Sequence, residues 1–182
     1  MKRAGQHLEK VQGQQEYERD IPKKCLQADF QHKWDENSMN KREFDDLTLK
    51  VRSKNPKIFG LDSDSIPTRE KIQKYEKFYE IAFPNSYKNF LMHYGGGYFA
   101  FIVVYSLDEQ SPFYIKNNIA IEFVKANNFF PIIDFETGDM AGFKICNGRC
   151  EELIAFYDHD EEIIMDLHLD LFEALAKYGL KI

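Results

Sequence analysis

A chain of 182 residues is long enough for one compact domain with a substantial core and too short for two ordinary ones. With 43% hydrophobic and 30% charged residues it reads as globular, neither disordered nor embedded in a membrane. The 24 Lys+Arg against 30 Asp+Glu leave a formal charge of -6, which repels phosphate backbones and argues for a basic partner over nucleic acid.

Residues 1–38 hold six of the eight glutamines, the single Trp and no sustained apolar periodicity, with seven basic and seven acidic side chains. Such a stretch buries little apolar area, so it is expected to be a flexible or non-native N-terminal extension. Met39 follows it directly and is a candidate alternative start. Residues 39–182 are expected to form a single domain.

Lys41 to Ser53 carries Phe44, Leu47, Leu49 and Val51, the pattern of an amphipathic helix ended by Asn55-Pro56. Ser65 or Thr68 is placed to cap a second helix, with Ile72, Tyr75, Phe78 and Tyr79 as its apolar stripe. A third begins at Pro84, presents Tyr87, Phe90, Leu91 and Tyr94, and stops at Gly95-Gly96-Gly97. The period then changes. Tyr98 to Tyr105 is β-branched and aromatic and predicts one buried strand. Asn118 to Asn128 fits helix or strand.

Phe129–Phe135, Met140–Cys146 and Glu152–Tyr157 predict three strands, parted by the turn triplets Thr137-Gly138-Asp139 and Asn147-Gly148-Arg149. A short strand is expected at Ile163–Met165. A final helix is predicted over Asp166–Tyr178, with Leu167, Leu171, Leu175 and Tyr178 on one face and Gly179 as its stop. The expected class is α+β: N-terminal helices, a central antiparallel sheet of about four to six strands, and a C-terminal helix packed on the sheet.

Three cysteines, Cys25, Cys146 and Cys150, are too few for a disulfide framework and lack zinc spacing. A cross-strand Cys146–Cys150 bond is geometrically conceivable, but two free thiols beside the turn are expected. The N-terminus has no apolar leader, and the longest apolar run, Tyr98–Tyr105, is far short of a membrane span. A reducing cytoplasm is the expected location.

The search for chemistry is negative. There is no GxSxG, HExxH, Walker loop or Cys with a plausible His partner. The three glycines follow a helix and precede a strand, the reverse of a phosphate cradle. His93 sits at a helix end, where a structural role is favoured, and His168 is expected on the solvated side of the last helix. Asp158-His159-Asp160-Glu161-Glu162 has metal-ligand chemistry and supports a metal-dependent enzyme as one alternative. It lacks the spacing of a calcium loop, and acidic turns are ordinarily just solvated. No catalytic, cofactor or metal residue is assigned, and no enzyme activity is expected.

Charge distribution says more. Residues 134–182 carry 12 acidic and 4 basic groups, while residues 39–88 carry 8 and 11. Asp134, Glu136, Asp139, Glu151, Glu152, Asp158, Asp160, Glu161 and Glu162 cluster at strand ends and turns, where loops at one sheet edge can present them together. With Tyr157 they form the candidate partner-binding set.

The segment Ile81-Ala82-Phe83-Pro84-Asn85-Ser86-Tyr87-Lys88-Asn89-Phe90-Leu91-Met92-His93-Tyr94-Gly95-Gly96-Gly97 resembles the LP-x-x-Y-K-x-F-L-x-x-Y-N-G-G motif of the SUKH superfamily. Phe130-Pro131-Ile132-Ile133, followed by Gly138-Asp139 and Phe143, is similar to its I-P-I strand and Gly-Asp turn. Ile154-Ala155-Phe156-Tyr157-Asp158-His159-Asp160 resembles its V-x-x-W/Y-D-H-E strand end. The three lie in the family's order across roughly residues 66–178. Phe83 stands where the family usually has Leu, and the stretch Ser111–Asn128 is shorter than usual.

That superfamily includes yeast cell-wall-synthesis regulators and many bacterial immunity proteins encoded beside secreted toxins. The resemblance therefore implies a non-enzymatic cytoplasmic binder, an antitoxin that neutralises a cognate toxin, often a basic nuclease domain. The acidic set would steer it, and exposed aromatics among Tyr98, Tyr105, Phe113, Tyr114 and Tyr157 would anchor it. The alternative implied is a regulatory or scaffold protein of the cell-wall-synthesis type.

Overall fold

The computed structural model describes residues 39–61 and 63–182; the expected N-terminal extension lies outside them. Asn40 opens α1 (Lys41–Lys54) with a reciprocal cap, its side chain accepting from the Glu43 N–H while the Glu43 carboxylate accepts from the Asn40 N–H. After a short 3-10 turn at Pro56–Phe59 comes α2 (Arg69–Tyr79), capped by Thr68, and then α3 (Asn85–Tyr94). Two short helices, α4 (Ile115–Asn118) and α5 (Ile121–Asn127), follow the first hairpin, so the ambiguous Asn118–Asn128 stretch is mostly helical.

Six strands form one antiparallel sheet whose spatial order is the chain order: β1 (Gly97–Phe99), β2 (Ile102–Val104), β3 (Phe129–Asp134), β4 (Met140–Cys146), β5 (Arg149–Asp158) and β6 (Ile163–Asp170). The chain closes with α6 (Leu171–Ala174), continued by wider π-type turns over Leu175–Leu180. The expected α+β architecture is the observed one.

Aromatic rings join the helices to one face of the sheet. Tyr79 and Phe83 lie 5.2 Å and 4.8 Å from Phe130 on β3, and Tyr87 lies 5.7 Å from Phe143 on β4. Phe44 of α1 is fully buried among Tyr94, Phe99 and Phe172, tying the first helix to the first strand and the last helix. Each such ring contributes on the order of 1.5–3 kcal/mol by leaving water. Leu49 and Phe78, expected in the core, are exposed at 63% and 41%. Phe78 instead carries the Lys116 ammonium 3.7 Å above its ring.

The expected single strand Tyr98–Tyr105 is a tight hairpin. Ala100 takes a left-handed φ of 51°, and the Phe101 N–H donates to the Gly179 carbonyl at 3.2 Å. No turn-forming residue marks this bend; a contact from the C-terminal helix fixes it. The predicted last helix also begins later. Leu167 and Leu171 mimic a helical stripe, but Met165 to Asp170 alternates apolar and polar, and pairing of Leu169 with the buried Ile154 wins. His168 accordingly lies in β6, at φ 54°, within a bulge. Asp170 caps the shortened helix, and Gly179 sits inside its final turns against Phe99.

The glycine run does more than stop α3. A Cβ on Gly96 would lie 2.5 Å from the Ser106 Cα, so only glycine lets these two backbones approach. Asp64 closes the same corner: its N–H donates to the Gly96 carbonyl at 2.9 Å and its carboxylate accepts from the Ser111 hydroxyl at 2.6 Å. At the Asn147-Gly148 turn, the Cys146–Cys150 bond is not formed. Cys150 is a buried free thiol, held above the usual thiol range by burial, whereas Cys146 is not free, so the expectation of two free thiols holds for Cys150 alone.

Candidate partner-binding site

In an antiparallel meander, alternate turns emerge at the same end of the sheet. The β3–β4 turn and the β5–β6 turn therefore sit side by side, bringing together Asp134, Glu136, Asp139, Asp158, Asp160, Glu161 and Glu162. The structure links the two turns through Asp139. Its Oδ1 accepts the His159 N–H at 3.1 Å, and its Oδ2 accepts the Thr137 hydroxyl at 3.1 Å. The His159 backbone N–H holds the Asp139 carboxyl below its ordinary value.

The His159 ring lies over Gly138, where an added Cβ would be 2.8 Å from the ring Cγ. Gly138 has φ 98°, so the turn needs glycine for its backbone and again for the ring above it. The ring nitrogens lie 3.5 Å from Asp139 and 3.3 Å from Asp160. Asp158 folds its own turn, its Oδ1 accepting from the N–H groups of Asp160 and Glu161 at 3.0 Å and 3.1 Å. Asp134 accepts from the Glu136 N–H at 2.7 Å and the Tyr105 hydroxyl at 3.2 Å. Burial raises that phenol above the ordinary range.

Among the described residues, no group of three or more His, Cys, Asp or Glu side chains is placed to hold a metal ion. Nor is any Lys or Arg paired with Glu136, Asp160, Glu161 or Glu162 there. The C-terminal helix does bring Lys177 to the Tyr178 ring, at 5.3 Å. The end of the sheet is thus a field of carboxylates with one imidazole and a flanking ammonium.

Between these carboxylates runs an apolar strip that the sequence reading missed. Phe156 pairs with Met165 and Asp158 with Ile163, so Phe156, Met165 and Ile163 share one face of the sheet. Phe135 reaches the same face, its ring 5.8 Å from Phe156 and 5.2 Å from Tyr178. Ile163 and Met165 are 46% and 42% exposed. Apolar centres with charged rims are the usual anatomy of protein–protein interfaces. Ile163–Met165 is a strand as expected, but Asp166–Asp170, predicted as the start of the last helix, continues it as β6.

Three expected residues fall elsewhere. Tyr157 is on the opposite face, packed 5.2 Å from Phe123 and 6.2 Å from Phe129. Glu151 and Glu152 are at the other end of β5, roughly 20 Å along the strand. Glu152 is half-buried beside α3 and raised above its ordinary value by burial, with Lys88 opposing. That lysine is itself paired with Glu76 at 3.0 Å. Of the aromatic anchor candidates, Tyr105 is core; Tyr98 and Phe113 pack on each other at 4.9 Å, and Tyr114 accepts from the Tyr75 hydroxyl at 2.7 Å.

A six-stranded antiparallel meander that follows the N-terminal helices and precedes the C-terminal one, with the Pro84–Gly97, Phe130–Phe143 and Ile154–Asp160 motifs on α3, β3–β4 and β5, defines a SUKH-type domain. The chain belongs to the SUKH_6 family (SMI1-KNR4 cell-wall), whose profile matches residues 69–173. The match runs from the start of α2 into α6, so α1 and its buried Phe44 lie outside it. No curated protein and no solved structure matches the chain. No helix among the described residues is long and apolar enough to cross a membrane.

Proposed function

We propose that this chain is an immunity protein, a cytoplasmic binder that neutralises a cognate secreted toxin without catalysis of its own. The observation that carries the reading is the junction of two acidic turns around the Phe135–Phe156–Met165 strip, on a domain of the SUKH_6 family. A basic toxin domain, such as a nuclease, would be drawn by the carboxylates and anchored on the apolar centre. Covering the toxin's own cationic groove would then exclude its substrate. Residues 39–182 act as the binding unit.

The test is co-expression with the toxin domain encoded beside the gene. Survival of the cells, and a complex on a sizing column that weakens as salt rises, are expected. Cell death, or two separate peaks at low salt, would refute the reading. The family's cell-wall description favours one second reading, a regulatory scaffold. It predicts a partner that is not a toxin and a gene that stands apart from any secreted effector.

A further inference from the structure

Strand β6 is the last strand in the sheet order, and no strand pairs with its outer edge among the described residues. A free edge presents unpaired N–H and C=O groups, and folded proteins ordinarily blunt such edges with Lys, Pro, a bulge or a covering element. Between Ile163 and Asp166 this edge has no Lys and no Pro. Its bulge comes later, at Leu167–His168, leaving Ile163–Asp166 in regular register with Ala155–Asp158. What guards the edge is charge of one sign: Asp160, Glu161 and Glu162 stand at its start. Asp166 lies on it, already tied to Lys144 at 2.5 Å.

Such a guard is selective. A second copy of this chain laid along β6 would bring two sets of these carboxylates together, which costs free energy. A strand carrying Lys or Arg would meet the opposite sign. We propose that Ile163–Asp166 takes up an extended basic segment of the partner as a seventh strand. On the helix-side face that segment would place apolar side chains beside Ile163 and Met165, and its cationic end would meet Glu161 and Glu162. Main-chain bonds supply affinity in this mode, and the alternating side chains supply selectivity. The inference rests on the acidic end being the partner surface and adds how the partner is held.

Three synthetic octapeptides serve as probes against the full chain: Val alternating with Lys/Arg, Val alternating with Glu, and the basic peptide N-methylated on alternate amides. The basic peptide is expected to bind, and to slow hydrogen exchange of the outward-pointing amides within Ile163–Asp166 at least ten-fold. N-methylation and the Glu peptide should each weaken binding ten-fold or more. Met165→Lys, at an exposed position, should do the same. Phe101→Lys, at an exposed position in the β1–β2 turn at the opposite edge of the sheet, should leave binding within two-fold.

No binding by the basic peptide overturns the proposal, as does equal binding of the N-methylated one. Slow exchange of the outward-pointing amides of this stretch, and not only of those bonded to β5, before any peptide is added also overturns it, because the edge is then already occupied; sedimentation shows whether a second copy is the occupant. The neutralisation assay separates the two readings. If Glu161→Lys/Glu162→Lys abolishes toxin binding while Met165→Lys does not, the acidic end binds the toxin but the seventh strand is wrong. If neither variant affects binding, the placement of the partner fails as well.

Discussion

Gly138→Ala tests the joint between the two acidic turns. Two costs are separable. An alanine at φ 98° is strained whatever surrounds it, by about 1–2 kcal/mol for a Cβ in the left-handed region. The new Cβ would also lie 2.8–2.9 Å from three atoms of the His159 ring, closer than real contacts allow. Because His159 is half-exposed, the ring can swing outward, and that movement withdraws it from Asp139 and Asp160. The backbone cost alone predicts a fall in Tm of about 3–8 °C for a folded unit of this size.

His159→Ala separates the terms. In that background Gly138→Ala should retain its backbone cost and lose the steric one, giving a coupling of a few tenths to about 1 kcal/mol in a double-mutant cycle. Thermal melts of the four proteins supply the cycle. A Gly138→Ala chain that melts with the wild type would refute the reasoning, because it would mean that the turn does not hold the geometry described. Additive single and double variants would refute the ring contact alone.

Two further predictions concern the other end of the sheet and the last helix. Burial holds Glu152 above its ordinary 4.5, so this carboxyl ionises more easily in the unfolded chain, and stability falls as pH rises from 4.5 through the raised value. Glu152→Gln should therefore gain stability relative to wild type at neutral pH, with the gain vanishing below pH 4.5; a constant offset across pH would contradict this. Asp170→Ala removes the side chain that accepts the Glu173 N–H at 2.8 Å and should cost about 0.5–2 kcal/mol, read as a lower urea midpoint at unchanged slope. An unmoved midpoint would show that packing, not the cap, starts α6.

How much of this was legible in the sequence depended on whether local and tertiary preferences agreed. Thr68, Pro84 and the Tyr87–Phe90–Leu91–Tyr94 stripe describe α2 and α3 because cap, turn and apolar period point the same way. The turns at Gly138 and Gly148 were readable for the same reason. Ala100–Phe101 was not, since its bend depends on the Gly179 carbonyl from the far end of the chain. The first half of β6, Ile163–Met165, reads as a strand, but Asp166–Asp170 reads as helix because Leu167, Leu171 and Leu175 fit one while Met165, Leu167 and Leu169 fit a strand. Only pairing with β5 decides between them. The charges of the candidate site were visible as a run of Asp and Glu, but their neighbours were not: the strip from Phe135 to Met165 exists only once two turns meet.

That strip changes what the negative charge can be for. Solubility alone would be served by acidic residues scattered over the surface, and it gives no reason to place them around exposed Ile163 and Met165. An exposed apolar strip beside an open sheet edge is an aggregation hazard, and like-signed rims on both copies raise the free energy of self-pairing. The same rims lower it for a cationic partner. On the proposed reading one set of carboxylates does two jobs at once: it disfavours a second copy of the chain and it attracts the opposite charge. The proposed immunity role needs both, and the rim is held in place by Asp139, which accepts the His159 N–H of the other turn, and by Asp158, which accepts the Asp160 N–H within its own. Losing the hold of Asp139 on the His159 N–H should then weaken partner binding and promote self-association together, since both depend on where the carboxylates stand.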